Sequence, residues 1–250
     1  MRKTLTVAFV ATLLTAAVAH ASDDHKPHWG YSGHAGPEHW GELEESYHQC
    51  AMGKTQSPIN ITGGPHRDTQ TVAQRYASAP LKIVNNGHTI QVNYAGGSTM
   101  TVDGKEYELV QFHFHSPSEH TQDGSPYPME GHLVHKAQDG SLAVVGVFMK
   151  EGRENPFIQQ IWAHLPHEVN HEVSVEGASL NVADFLPANK AFFNYSGSLT
   201  TPPCSEGVNW LVMDQQVEIS AAQVKQFLDL VHENARPVQP LNGRPVAHRM

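Results

Sequence analysis

"LVQFHFHSPSEHT", Leu109 to Thr121, is the stretch on which the reading of this chain turns. Val110, Phe112 and Phe114 interleave with Gln111, His113 and His115. Side chains of a strand point to opposite faces with period two. One face therefore carries Val-Phe-Phe and asks for a core, while the other carries Gln-His-His. The two histidines can be read in two ways: packed under a polar loop and satisfied by hydrogen bonds, or binding metal. At this histidine frequency one H-x-H is expected by chance about once in such a chain, so the spacing alone leaves both readings open. His132 opens another strand pattern, "HLVHKA", and an antiparallel neighbour would bring it opposite the pair. Three neutral imidazoles with one open position form the donor set of catalytic zinc. Gln111 lies two residues before His113, and Glu130 two before His132. Both are well placed to accept a ring N–H, which ligating histidines need to fix tautomer and orientation.

The chain has 250 residues, 39 % hydrophobic and 16 % charged, enough to bury a sizeable core. Its formal charge is −9 with 18 histidines. The acidic balance argues against nucleic acid or an anionic membrane surface as a partner. The N-terminus, "MRKTLTVAFVATLLTAAVAHA", has a basic start, an apolar stretch from Leu5 to Val18 and a small-x-small end at Ala19-His20-Ala21. It reads as a secretory signal peptide over residues 1–21. The mature chain, 22–250, then carries 14 basic against 25 acidic residues. No other stretch is apolar and long enough to span a bilayer, so a soluble, exported product is expected. Cys50 and Cys204 are the only cysteines. An even count in an exported chain suggests one disulfide, with two free thiols as the alternative.

No internal repeat and no linker divides the chain. Short strands are expected at 81–84, 88–94, 105–115, 132–136, 142–150, 191–195 and 208–213, with a turn at "NNGH", Asn85–His88. Two helices are expected. "NPFIQQIWAHLP" has Asn155 as N-cap and Pro156 at the first helical position, and "SAAQVKQFLDLV" has Ser220 and Gln223 as a capping box. Many strands and few helices imply a mainly β (α+β) single domain, a large and mostly antiparallel sheet with peripheral helices.

The blocks "QFHFH" and "SEHTQDGSPYPMEGHLVH", with "HWGYSGHAGPEHW", "QSPINI", "NNGH", "LAVVGVFM", "SGSLTTPPCSEGVNW" and "NARPVQPLNGR" in family order along nearly the whole mature chain, carry a resemblance to the α-class carbonic anhydrases of exported bacterial type. Gln122 departs from it, standing where the family usually has an aliphatic residue. The resemblance implies a central twisted sheet of about ten strands and a reversible hydration of carbon dioxide to bicarbonate. It implies one zinc held by His113, His115 and His132, with Gln111, Glu130 and the Asn234 carbonyl behind them. Thr200 would orient a zinc-bound hydroxide and donate a hydrogen bond to Glu119. Val134, Val144, Leu199, Thr201, Val208 and Trp210 would line the carbon dioxide pocket. His88, mobile and wet beside its turn, would shuttle protons along water organised by Tyr31, Asn86 and Gln91. Cys50 and Cys204 match a pair that exported members join. Sulfonamides and anions would inhibit, the location would be the periplasm, and exported bacterial relatives are often homodimers. A non-catalytic module on the same fold and a histidine-rich zinc buffer are the competing readings.

Overall fold

The computed structural model describes residues 28–63, 66–67 and 69–250, so the signal-peptide reading of 1–21 lies outside the described residues. Thirteen of the described strands form one mixed sheet. Ten of them run edge to edge: Glu172–Leu180, Ala79–Asn85, Ile90–Asn93, Lys105–His115, Met129–Lys136, Leu142–Glu151, Glu206–Met213, Phe192–Ser198, Ala247–Arg249 and His66–Arg67. Most neighbours are antiparallel, but Leu142–Glu151 pairs in parallel with Glu206–Met213 and with Val217–Ile219. The helix Pro156–Trp162 starts as its sequence dictates, with Asn155 accepting from the Phe157 and Ile158 amides. The helix Ala221–Val231 opens on the full Ser220–Gln223 capping box.

Register across the central strands fixes two faces. Val92, Phe112, Leu133, Val145 and Leu211 are successive cross-strand partners, all buried in the larger core. One residue along, Gln91, His113, His132, Gly146 and Val212 form the matching row on the opposite face. Beside it on that face runs Asn93, Gln111, Val134, Val144 and Trp210. The first row passes from an amide through two imidazoles to glycine and valine, the second from two amides to valines and an indole. A surface that is polar at one end and apolar at the other therefore follows from register alone.

The expected strand Lys105–His115 forms over that full length, but Val110 does not share the core face with Phe112 and Phe114. Leu109 pairs with His135 and Gln111 with Val134, so Val110 is the extra residue of a β-bulge and is 37 % exposed. The bulge reverses the alternation: Tyr107 and Leu109 face the core before it, Phe112 and Phe114 after it. It is the device that turns Gln111, His113 and His115 together onto the opposite face.

Candidate metal centre

His113 stands opposite His132 and His115 opposite Glu130 in the strand register. The three imidazoles converge, with ring centroids 5.1, 5.4 and 4.6 Å apart. One nitrogen of each lies within 4.8 Å of the others. The second nitrogen of each ring is held from behind. His113 Nδ1 is 2.8 Å from Gln111 Oε1, His115 Nδ1 is 2.8 Å from the Asn234 carbonyl, and His132 Nε2 is 2.9 Å from Glu130 Oε1. Carbonyl and carboxylate oxygens only accept, so each held nitrogen carries the proton. The lone pairs of His113 Nε2, His115 Nε2 and His132 Nδ1 are left toward the common centre. His115 Nε2 is buried and has no hydrogen-bond partner. An unmet buried polar atom is unfavourable unless something satisfies it. A cation at the centre would do so, and the donor set fits one.

The titration directions favour the neutral ligand form at His113 and His115. Burial, then repulsion from His115 and His132, holds His113 well below the usual imidazole range. Burial lowers His115 as well. Both are neutral donors at neutral pH. Burial also acts downward on His132, but the Glu130 carboxylate beside it wins and raises that ring.

Behind His132 lies a buried relay that the sequence reading did not assign. Glu130 Oε1 accepts from His132 Nε2 and from His120 Nδ1 at 2.8 Å, and its Oε2 accepts from the His120 amide. His120 Nε2 lies 2.6 Å from the Tyr195 hydroxyl, which lies 2.8 Å from Ser57 Oγ. Ser57 Oγ accepts from the Ser198 amide at 3.0 Å. With Glu130 accepting at one end and an amide donating at the other, every proton in the row is assigned: Ser57 donates to Tyr195, and Tyr195 to His120. Room for the carboxylate comes from Gly146, where a Cβ would stand 2.9 Å from Glu130 Oε1. His120 was visible next to Glu119 in the sequence, but nothing local marks its partners.

Glu119 is buried, and its Oε1 accepts from the Arg236 amide at 2.9 Å. Its Oε2 has no hydrogen bond and lies 3.5 Å from His115 Nε2 and 3.8 Å from His132 Nδ1. Thr200 is buried, but the expected hydrogen bond from it to Glu119 is not formed: Glu119 Oε2 is turned toward the two imidazoles. The guanidinium of Arg236, also missed from sequence, binds Gln56 Oε1, the Ser57 carbonyl and the Cys50 carbonyl. Burial pushes it down to about 10. Gln56 Nε2 donates to the Cys204 carbonyl, so Arg236 and Gln56 together brace both ends of the Cys50–Cys204 disulfide.

Val134, Val144, Val208 and Trp210 are buried in one apolar cluster, with Leu199 packed against it. The Trp210 ring lies 4.8 Å from that of His132. The Thr201 carbonyl accepts from the Cys204 amide, closing the turn that carries the Thr200 loop. On the polar side, Asn86 Oδ1 accepts from the His88 and Thr89 amides, so Asn86 shapes the turn. His88 is not free beside that turn. Its ring stacks on Trp29 at 3.7 Å and 7°, with His28 6.0 Å away. The partly buried Trp29 indole gives the half-buried imidazole an aromatic face to stack on. Burial, then His28, lowers the His88 pKa. Tyr31 packs edge-on against Trp29 and Trp40, and burial raises its hydroxyl well above the usual phenol range.

Comparison with known proteins bears directly on this geometry. The family model described as eukaryotic-type carbonic anhydrase matches residues 35–250. A carbonic anhydrase of Pectobacterium atrosepticum is 42 % identical over 241 residues, covering 96 % of this chain and 98 % of that one. One from Nostoc sp. is 43 % identical over 249 residues, covering 98 % and 94 %. The α-carbonic anhydrase of Thermovibrio ammonificans, solved in complex with the inhibitor sulfanilamide, superposes with a TM-score of 0.85 at 46 % identity, covering 88 % and 99 %. A three-imidazole centre on this sheet, matched over nearly the whole chain by such relatives, leads to one conclusion: the chain belongs to the eukaryotic-type (α) carbonic anhydrase family, enzymes that hydrate carbon dioxide.

Proposed function

We propose that residues 22–250 form one catalytic domain that interconverts carbon dioxide and bicarbonate with a single zinc ion held by His113, His115 and His132. The observation that carries this is the convergence of three imidazole nitrogens, each ring held from behind by an oxygen acceptor. When bound, zinc would act as a Lewis acid that makes hydroxide available near neutral pH, chemistry for which carbonic anhydrase is itself the standard illustration.

The chain's own residues do the rest. Gln111, the Asn234 carbonyl and Glu130 keep the three rings in the ligating tautomer. Carbon dioxide is uncharged and apolar, so Val134, Val144, Leu199, Val208 and Trp210 can hold it without ion pairs, with Thr201 at their edge. Thr200 would accept a hydrogen bond from the attacking oxygen and aim it at the carbon, once Glu119 Oε2 turns from the two imidazoles to accept the Thr200 proton. Each turnover releases a proton, which His88 would take up as a neutral imidazole and pass to buffer. Tyr31, Asn86 and Gln91 would order the water between. Sulfonamides and small anions are the inhibitors expected of this centre. The reading of 1–21 as a signal peptide and the Cys50–Cys204 disulfide support a periplasmic location. Among the described residues, no helix is long and apolar enough to cross a membrane.

Stopped-flow hydration of carbon dioxide by the purified, zinc-loaded protein tests the proposal, with His115→Ala as control and a metal count on both. Fast hydration that the substitution removes, with one tightly held zinc per wild-type chain, is expected. A folded protein with one zinc and no hydration would make this a non-catalytic module. Several exchangeable metals per chain would make it a zinc buffer.

A further inference from the structure

Three side chains along the polar rim form a directed chain. Glu172, on the edge strand Glu172–Leu180, accepts a hydrogen bond from Asn93 Nδ2 at 2.5 Å. Asn93 Oδ1 accepts one from Gln91 Nε2 at 2.6 Å. Gln91 stands opposite His113 and Asn93 opposite Gln111, so both amides lie on the ligand face. Glu172 itself sits outside, opposite Val84 on the strand that leads into the His88 turn.

The direction of the chain is imposed from its outer end. An ionised carboxylate only accepts, so Asn93 must turn its NH2 toward Glu172. That leaves Asn93 Oδ1 for Gln91, which must answer with its own NH2. Gln91 Oε1 is then turned away from Asn93 and left for another partner on the ligand face. An isolated amide has no such preference, since its two ends differ only in what they donate and accept.

We propose that Glu172 is a positioning residue for proton release: acting through Asn93, it fixes the amide of Gln91 so that an acceptor faces the cleft water. The proposal rests on the reading of Gln91 as a contact of the proton-path water. A water that donates to Gln91 Oε1 keeps both lone pairs for its neighbours in the row, whereas a reversed amide would occupy one of them and turn the water's protons the other way. The carboxylate never touches substrate or metal. Its effect is confined to the step that moves the proton, and the step that forms bicarbonate does not feel it.

The test uses the zinc-loaded protein and reads kcat and kcat/KM separately, in dilute buffer and in concentrated imidazole. Glu172→Gln removes the directing charge, and Glu172→Lys, a donor only, reverses the chain. In dilute buffer kcat should fall about twofold for the first and about fivefold for the second, the scale of one misdirected hydrogen bond. The kcat/KM value should stay unchanged, and imidazole should restore kcat. High salt should leave the losses in place, since screening weakens a through-space charge effect but not an amide orientation. In a Gln91→Leu background neither Glu172 variant should lower kcat further. If Gln91→Leu leaves kcat untouched, the water-path reading of Gln91 fails and the proposal falls with it. If Gln91→Leu lowers kcat while the Glu172 variants do not, or if the losses add in full or vanish in salt, the path stands and the positioning role is overturned.

Discussion

The same pair of central strands buries histidine on both faces, and the two faces treat it differently. On the ligand face, His113, His115 and His132 each have one nitrogen held and one facing a shared centre, and His115 Nε2 has no hydrogen-bond partner at all. On the core face, His135 is fully buried between Leu109 and Ala143. Its Nε2 is 2.9 Å from the Tyr76 hydroxyl and its Nδ1 is 3.3 Å from the Ala143 carbonyl. Both its nitrogens are met, by neutral groups. Burial therefore does not mark a metal ligand. The mark is convergence: three rings, each held from behind by an oxygen acceptor, with their remaining nitrogens turned to one centre.

The largest expected effect lies on the core face. Burial pushes His135 down to about 4, with the Ala143 and Leu133 backbone opposing weakly. An unfolded chain binds a proton there below about pH 6.5, whereas the folded one stays neutral. Stability should be unaffected by this group above that pH and fall as pH drops toward 4, by about 3 kcal/mol in all. His135→Gln, which keeps a donor and an acceptor but does not titrate, should flatten the urea-denaturation stability profile across that window. Its hydration rate and zinc content at neutral pH should match the parent. A loss of zinc would mean that the two faces are not separable.

The second prediction acts on the ligand face alone. A Cβ at Gly146 would stand 2.9 Å from Glu130 Oε1, and the neighbouring Val212 methyl at 3.4 Å leaves little room to give. Gly146→Ala should displace the carboxylate that orients His132. Disturbing a partner of this kind lowers metal affinity by about 10- to 100-fold. Competition with a chelator would read that change. The apo protein should lose much less stability than the zinc form, whereas equal losses would point to a packing defect without a metal effect.

How far the sequence discloses these faces depends on the range of the contacts. The His113–His115 pair is legible because strand periodicity is local, and both helices are legible because their caps are. Val110 is not, since a bulge has no residue signature and becomes visible only in the pairing with Met129–Lys136. The hairpin strand Thr99–Val102 escapes notice although Asp103-Gly104, both with positive φ, supplies the turn signal ahead of Lys105. The edge strand Glu172–Leu180 alternates only over its first five residues, Glu172 to Glu176, before Gly177 and a register shift between Ser174 and Ser179 break the pattern, so too short a run is left to mark it. The ligand set and its immediate partners lie within two residues of one another or match a family block. Ser57 and Tyr195 are 138 residues apart, and Arg236 and Cys50 are 186 apart. Contacts of that range become visible only once the sheet is assembled.

The smallest effect is expected at the far end of the relay, and it bears on how deep the ligand face extends. Ser57 Oγ gives a proton to Tyr195 and takes one from the Ser198 amide, and three further hydrogen bonds separate Tyr195 from His132. Ser57→Ala removes one buried hydroxyl and leaves its partners unmet, which should cost about 1 kcal/mol of stability. Glu130 still receives both imidazole protons, so His132 keeps its tautomer. Zinc affinity should accordingly fall by no more than about threefold, since second-sphere effects fade once the directly bonded partner is intact. Chelator competition run beside Gly146→Ala decides the matter. A loss as large as that of Gly146→Ala would mean that the ligand face is set by the whole row from Ser198 inward, and that Glu130 alone does not hold it.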